Sequence, residues 1–185
     1  MSKIQPIALM HLRSHGFRDT FCDQDSSLWN AGIGGWTMIF YLSKYYEFLD
    51  TFVLIIKNKK PSLLQVYHHA GIVLSMWGAV VSKGNWILIV VLLNSGIHTL
   101  MYTYFTVKTI WPKLQIKQAK YLTSAQITQF FVAITYTLPA HFFGGDECNS
   151  PASWLFCLFI ELYAVGLIFL FFVFAQKKYG KKKSV

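Results

Sequence analysis

Long apolar runs alternate with short polar, lysine-bearing breaks along nearly the whole chain. Uncharged stretches cover residues 61–82, 84–107 and 121–145, and a fourth, 148–176, is interrupted only by Glu161. A fifth, 28–56, is as long but carries Lys44, Glu47 and Asp50 near its middle. A helix of about 20 mostly apolar residues is enough to cross the hydrocarbon core of a bilayer. The pattern therefore predicts an all-α, polytopic membrane bundle of five helices over residues 28–176. A lead segment, 1–27, precedes it and a lysine-rich tail, 177–185, follows.

Composition narrows the class further. Of 185 residues, 54% are hydrophobic and 17% aromatic against 14% charged, which excludes a disordered chain, and three cysteines are too few for a disulfide scaffold. The excess of 17 Lys+Arg over 8 Asp+Glu gives a net charge of +9. No basic stretch belongs to a polar domain large enough to fold outside the bilayer, so nucleic acid is not an expected partner. With the tail in the cytosol, alternate breaks place twelve basic residues on that side and only Lys3, Arg13, Arg18 and Lys83 on the other. The positive-inside rule favours this orientation. It puts the lead segment in the lumen, although its best apolar stretch, 4–10, is too short for an export signal. An even number of further spans upstream would resolve that conflict. Cys22 and Cys148 then share the lumenal side, where they either pair or stand as free thiols, and Cys157 lies within a span.

Polar groups at membrane depth are costly, so each is a candidate site residue. Lys44, Glu47 and Asp50 recur every three residues, with Thr51 beside them. A simple salt bridge accounts for the first two and leaves Asp50 over. Gln65, His68 and His69 follow at i, i+3 and i+4; Asn94, His98, Met101 and Tyr102 form the next stripe, with Tyr104 further round; Thr123, Gln126 and Gln129 form the fourth. Singly, each has an ordinary structural reading, since a buried histidine is usually a hydrogen-bonded core residue and Gln or Asn often joins helices. Four consecutive spans with polar stripes imply one polar chamber inside the bundle.

Two chemistries suit histidines in such a chamber. His68, His69 and His98 are enough to hold one zinc ion, but they are too few for a di-iron oxygenase, because His11, His15 and His141 lie elsewhere. Nucleophilic and general-base catalysis on an activated acyl group needs only two or three imidazoles.

Read together, the stripes resemble the signature set of the ELO family of very-long-chain fatty acid elongases, which are membrane 3-ketoacyl-CoA synthases. Lys44-x-x-Glu47-x-x-Asp50-Thr51 is similar to the family's KxxExxDT, and Gln65-x-x-His68-His69 to its HxxHH. Asn94-x-x-x-His98-x-x-Met101-Tyr102-x-Tyr104 is similar to NxxxHxxMYxYY, and Thr123-x-x-Gln126-x-x-Gln129 to TxxQxxQ. Two positions depart: Gln65 stands for the first histidine of HxxHH, and Phe105 for the last tyrosine of MYxYY. Glutamine at the first position occurs in some family members that act on polyunsaturated chains, which fits a supporting role there. The family has seven spans and a lumenal amino terminus, so these five correspond to its last five. The ending Lys182-Lys183-Ser184-Val185 is similar to a dilysine retrieval signal.

The resemblance implies an endoplasmic-reticulum enzyme with a cytosolic carboxyl terminus. It would condense a long-chain acyl-CoA, polyunsaturated chains included, with malonyl-CoA to give a 3-ketoacyl-CoA two carbons longer, carbon dioxide and CoA. His68 would be the acyl-accepting nucleophile. His98 and Asn94 would handle the malonyl carboxylate and enolate, with His69 and Gln65 orienting them. Lys44, Glu47, Asp50, Tyr102, Gln126 and Gln129 would line the chamber, and an apolar tunnel would hold the acyl tail. Lys113, Lys117 and Lys120 suit the phosphates of CoA, or simply obey the positive-inside rule. No metal or cofactor beyond malonyl-CoA is implied. The implied partners are the ketoacyl-CoA reductase, hydroxyacyl-CoA dehydratase and enoyl-CoA reductase of an elongation cycle. The competing readings are a lipid-binding or regulatory subunit derived from an elongase and, less favoured, a metal-dependent lipid hydroxylase.

Overall fold

The computed structural model describes residues 10, 12–14, 16, 18, 20, 23, 25–114, 119–143 and 150–180. Among them there is no strand, and five long helices carry the fold: α1 (Gly34–Ile56), α2 (Leu63–Val81), α3 (Ile87–Ile110), α4 (Ala119–Thr137) and α5 (Pro151–Tyr179). Each lies within or overlaps one of the five apolar runs. Cys22, Cys148, Lys117 and the dilysine ending lie outside the described residues, and with them the disulfide and retrieval expectations.

Local chemistry sets the helix ends. Asp23 accepts the backbone N–H groups of Leu28 and Trp29, both at 2.8 Å, and so fixes the approach to the bundle. The chain then enters α1 through a π-helical turn, Trp29–Ile33, kinked at Gly32, whose φ of 143° is open only to glycine. At the far end of α1, Asn58 adopts φ 52°, and the N–H of Lys59 turns back to the carbonyl of Leu54 at 2.9 Å. Ser62 caps α2 by accepting the N–H of Gln65 at 3.2 Å, and Ser150 caps α5 by accepting that of Ser153 at 3.1 Å. The fourth apolar run does not form one helix. α4 stops at Thr137 because Pro139 disfavours helical geometry at Leu138, and a single further turn, Ala140–Phe143, follows.

The helices pack in a ring that is not the order of the chain. α1 packs on α2, α2 on α5, α5 on α4 and α4 on α3, while α3 returns to α1 only sparsely. Inserting α5 between α2 and α4 brings the last helix against the second stripe. At one end of the bundle the fully buried Trp86 donates its indole N–H to Ser153 Oγ at 3.1 Å, joining α3 to α5. The α2–α5 seam is tight: a Cβ at Gly78 would stand 2.1 Å from the Phe156 ring. Gly78→Ala is therefore expected to cost about 1–3 kcal/mol. Gly96→Ala on α3 meets nothing within 4 Å and should be neutral, a contrast that thermal unfolding in detergent will read.

The outward faces are apolar. Ile56, Leu63, Trp77, Phe131 and Phe169, from four different helices, are all exposed. Water-soluble monomers rarely leave apolar surface of this extent uncovered. α3 and α5 are long and apolar enough to cross a membrane by themselves. α1, α2 and α4, like α3, carry the charged or polar stripes noted in the sequence. Together these features are those of a helical membrane protein.

Candidate active site

A cavity of about 500 Å³ runs through the ring, and all four polar stripes reach its wall. It extends from Glu47, His68 and His98 to Ser62, Ala119, Lys178 and Tyr179, where α2 and α4 begin and α5 ends. Among the site residues expected from the sequence, Glu47, Asp50, Gln65, His68, His69, Asn94, His98, Tyr102, Gln126 and Gln129 line it. Lys44 lies just behind. It faces a second groove, open between α1 and α3, that shares Glu47, Asp50, His98 and Tyr102.

Lys44 and Glu47 are one turn apart on α1, and both are buried. The lysine donates to Glu47 Oε1 at 2.6 Å and to Asn94 Oδ1 at 2.8 Å, and its ammonium lies 4.1 Å from the centre of the Phe40 ring. One cation thus links α1 to α3 and fixes the position of the carboxylate. Glu47 in turn meets both catalytic candidates: its Oε1 is 3.3 Å from His98 Nδ1, and its Oε2 is 3.9 Å from His68 Nε2. Neither approach has hydrogen-bond geometry, and Glu47 Oε2 and His98 Nδ1 are buried without a partner among the described residues. Buried polar atoms without a partner are few in folded proteins. The His68 and His98 rings are 5.9 Å apart, centre to centre.

The remaining motif residues lie around these. Gln65 donates its amide to Thr51 at 3.0 Å and so joins α2 to α1, rather than bonding an imidazole. Tyr102 donates to Asp50 at 2.9 Å, an exposed bond from α3 to α1. His69 packs against the Phe48 ring, 5.6 Å between centres, and stays outside the Glu47 cluster. Gln126 approaches Met101 Sδ at 3.7 Å, and Gln129 is buried with its carbonyl unpartnered among the described residues. Lys120 lies over Tyr121, and Lys178, read in the sequence only as part of the basic tail, lines the cavity mouth.

Two groups were not legible as partners. Tyr163 on α5 contacts His68 twice, as described below. Glu161 accepts from Thr137 Oγ1 at 2.8 Å and from His141 Nε2 at 2.9 Å, bracing the end of α4 and the turn after it against α5. Only the interruption of an apolar run by Glu161 signalled it. A narrow void of about 30 Å³, lined by Ile72, Phe130, Ile160 and Leu167, lies between His68 and this brace.

Among the described residues, two trios have ligand atoms close enough for one metal ion, all within 4.8 Å: Glu47, His68 and His98, and His141, Cys157 and Glu161. In the first, Glu47 Oε1 is already paired with the Lys44 ammonium at 2.6 Å. In the second, both oxygens of Glu161 already accept hydrogen bonds.

The model of the GNS1/SUR4 family, ELO, matches residues 2–185, and the chain belongs to that family. It is 39% identical over 155 residues to very long chain fatty acid elongase 5 of Xenopus laevis, covering 78% of this chain and 49% of that protein. It is 34% identical over 159 residues to fatty acid elongase sre1 of Dictyostelium discoideum, covering 83% and 57%. With fatty acid elongase 1 of Trypanosoma brucei brucei it shares 31% over 160 residues, covering 82% and 52%. The chain spans about half the length of the curated relatives it matches. No solved structure matches it.

Proposed function

We propose that this chain carries the catalytic centre of a fatty acid elongase, condensing a long-chain acyl-CoA with malonyl-CoA. The observation that carries the reading is the convergence of Glu47, Asn94, His68 and His98, from three helices, at the inner end of one cavity, with Lys44 bonded to Glu47 and Asn94 just behind. His68 attacks the thioester carbonyl and CoA leaves as thiolate. Malonyl-CoA then loses carbon dioxide, and its enolate attacks the bound acyl group, releasing the 3-ketoacyl-CoA and freeing the imidazole. His98 and Asn94 line the place where the malonyl group sits, and the Lys44–Glu47 pair holds the charge balance there. The chemistry draws on malonyl-CoA alone, and the Lys44 ammonium supplies the positive charge beside Glu47.

Lys178 at the mouth suits the phosphates of CoA, and the apolar seam beyond His68 is the route for the acyl tail, stopped by the Thr137–Glu161 brace. The five helices span the endoplasmic-reticulum membrane with the mouth and the tail cytosolic. The product would pass to the reductases and dehydratase that complete an elongation cycle.

The chain is tested in proteoliposomes with acyl-CoA and labelled malonyl-CoA. The expected result is a 3-ketoacyl-CoA two carbons longer with stoichiometric carbon dioxide. Saturable acyl-CoA binding with malonyl-CoA left intact would instead identify a lipid-binding subunit. For topology, a glycosylation acceptor introduced beside Asp146 is expected to be modified in microsomes, and one introduced beside Asn58 is not. The reverse pattern would overturn the orientation.

A further inference from the structure

Tyr163 belongs to none of the polar stripes, yet its hydroxyl meets the candidate nucleophile at two atoms. It lies 2.8 Å from the backbone carbonyl of His68 and 2.9 Å from Nδ1 of the same residue. A carbonyl oxygen can only accept, so the single hydroxyl hydrogen of Tyr163 is committed to it. What the tyrosine presents to the ring is a lone pair, and a bond at 2.9 Å then requires the hydrogen to be on Nδ1. Nε2 is left with its lone pair, on the side facing Glu47 Oε2 at 3.9 Å. That separation fits two lone pairs facing each other and is too long for an N–H donated to a carboxylate.

The seam is shaped to bring the hydroxyl there. Tyr163 is buried on α5 and lies over Gly71 of α2, where a Cβ would stand 2.2 Å from its ring. Tyr67 of α2 reciprocates by lying over Gly166 of α5, and the two tyrosine rings are 5.4 Å apart. Each helix thus supplies one tyrosine and one glycine, and the crossing sets where the Tyr163 oxygen falls.

We propose that Tyr163 is a positioning residue that holds His68 in the Nδ1–H tautomer, so that Nε2 is the atom acylated by the acyl-CoA thioester. This deepens the condensation reading and rests on it. In the step, the Nε2 lone pair forms the bond to the carbonyl carbon while the carbon–sulfur bond breaks and CoA departs as thiolate. The ring keeps its Nδ1 hydrogen and becomes a cationic N-acylimidazolium. The Tyr163 oxygen continues to accept that hydrogen, and the Glu47 carboxylate faces the new charge. When the enolate attacks, the electron pair of the nitrogen–carbon bond returns to Nε2 and the starting tautomer is restored with no proton moved on the ring. An imidazole in the opposite tautomer would offer no lone pair on the cavity side.

The test reads the tautomer directly, by NMR of ¹⁵N- and ¹³C-histidine-labelled chain in detergent, with the His68 signals assigned by their loss in His68→Gln. The wild type is expected to show an Nδ1–H His68. Tyr163→Phe, which removes the acceptor but keeps the ring, is expected to move His68 toward the Nε2–H form and to slow acyl-enzyme formation by at least about tenfold, with KM for acyl-CoA little changed. Tyr67→Phe removes the other seam hydroxyl without touching His68 and controls for packing; it should leave the tautomer as in the wild type. An Nε2–H signal in the wild type would overturn the proposal, as would an unchanged tautomer and acylation rate in Tyr163→Phe. Should Tyr163→Phe not fold, the wild-type spectrum alone decides. Failure of the condensation reading has a different signature: an Nδ1–H His68 in a wild-type chain that neither takes up acyl groups nor consumes malonyl-CoA. That would reduce the tyrosine to a structural lock and overturn its role in positioning a nucleophile.

Discussion

His68→Ala is expected to abolish condensation, lowering turnover by about 10³-fold or more, as removal of a covalent nucleophile does. The structure allows the loss to be chemical rather than architectural. The Tyr163 hydroxyl donates to the backbone carbonyl of residue 68, which the substitution keeps, and the Gly71 and Gly78 contacts of the α2–α5 seam do not involve the imidazole. Helix content and thermal midpoint should therefore stay close to those of the wild type. His68→Gln should be equally inactive, because a side-chain amide has no nucleophilic nitrogen. Incubation with acyl-CoA alone, followed by intact-mass analysis, should add one acyl group to the wild type and none to either variant. An acyl adduct of undiminished yield on the His68→Ala chain would move the nucleophile elsewhere, and His98, across Glu47 from His68, would be the first place to look.

Much of this site was visible in the sequence because its residues recur along single helices. Lys44 and Glu47 are three apart, and they pair. The same spacing brings Asp50 to the cavity wall but not into the buried pair. Six residues advance an α-helix by 600°, which leaves Asp50 about 120° from Lys44 around the axis. It accordingly turns to the exposed edge and bonds Tyr102, while Glu47 stays inside. His69, one residue and about 100° beyond His68, ends against Phe48 for the same reason. What the pattern did not contain is the order of the ring. The Lys44–Asn94 and His68–Tyr163 bonds join residues 50 and 95 positions apart, and which helices become neighbours is settled by packing over the whole bundle. Tyr163 was hidden for a further reason: inside an apolar run a tyrosine has the same hydropathy role as the phenylalanines around it. Only the requirement that a buried hydroxyl find a partner sets it apart.

The second large effect concerns the buried pair. Lys44 is 1% exposed and Glu47 is 7% exposed, so neither charge has water to fall back on. Lys44→Met would leave the Glu47 carboxylate uncompensated and take a donor from Asn94; Glu47→Gln would leave the ammonium with only Asn94 and the face of Phe40. Breaking a buried ion pair from one side costs about 3–5 kcal/mol, whereas replacing both partners with neutral groups of similar volume is often nearly neutral. Each single variant is therefore expected to unfold well below the wild type in detergent, and Lys44→Met with Glu47→Gln together to recover most of the difference. If the two losses simply added in the double variant, the pair would not be a unit and the linkage of α1 to α3 through one cation would be wrong. The double variant also separates fold from chemistry. It rebuilds the packing but removes the carboxylate that faces both His68 and His98, so a well-folded double variant is expected to remain inactive.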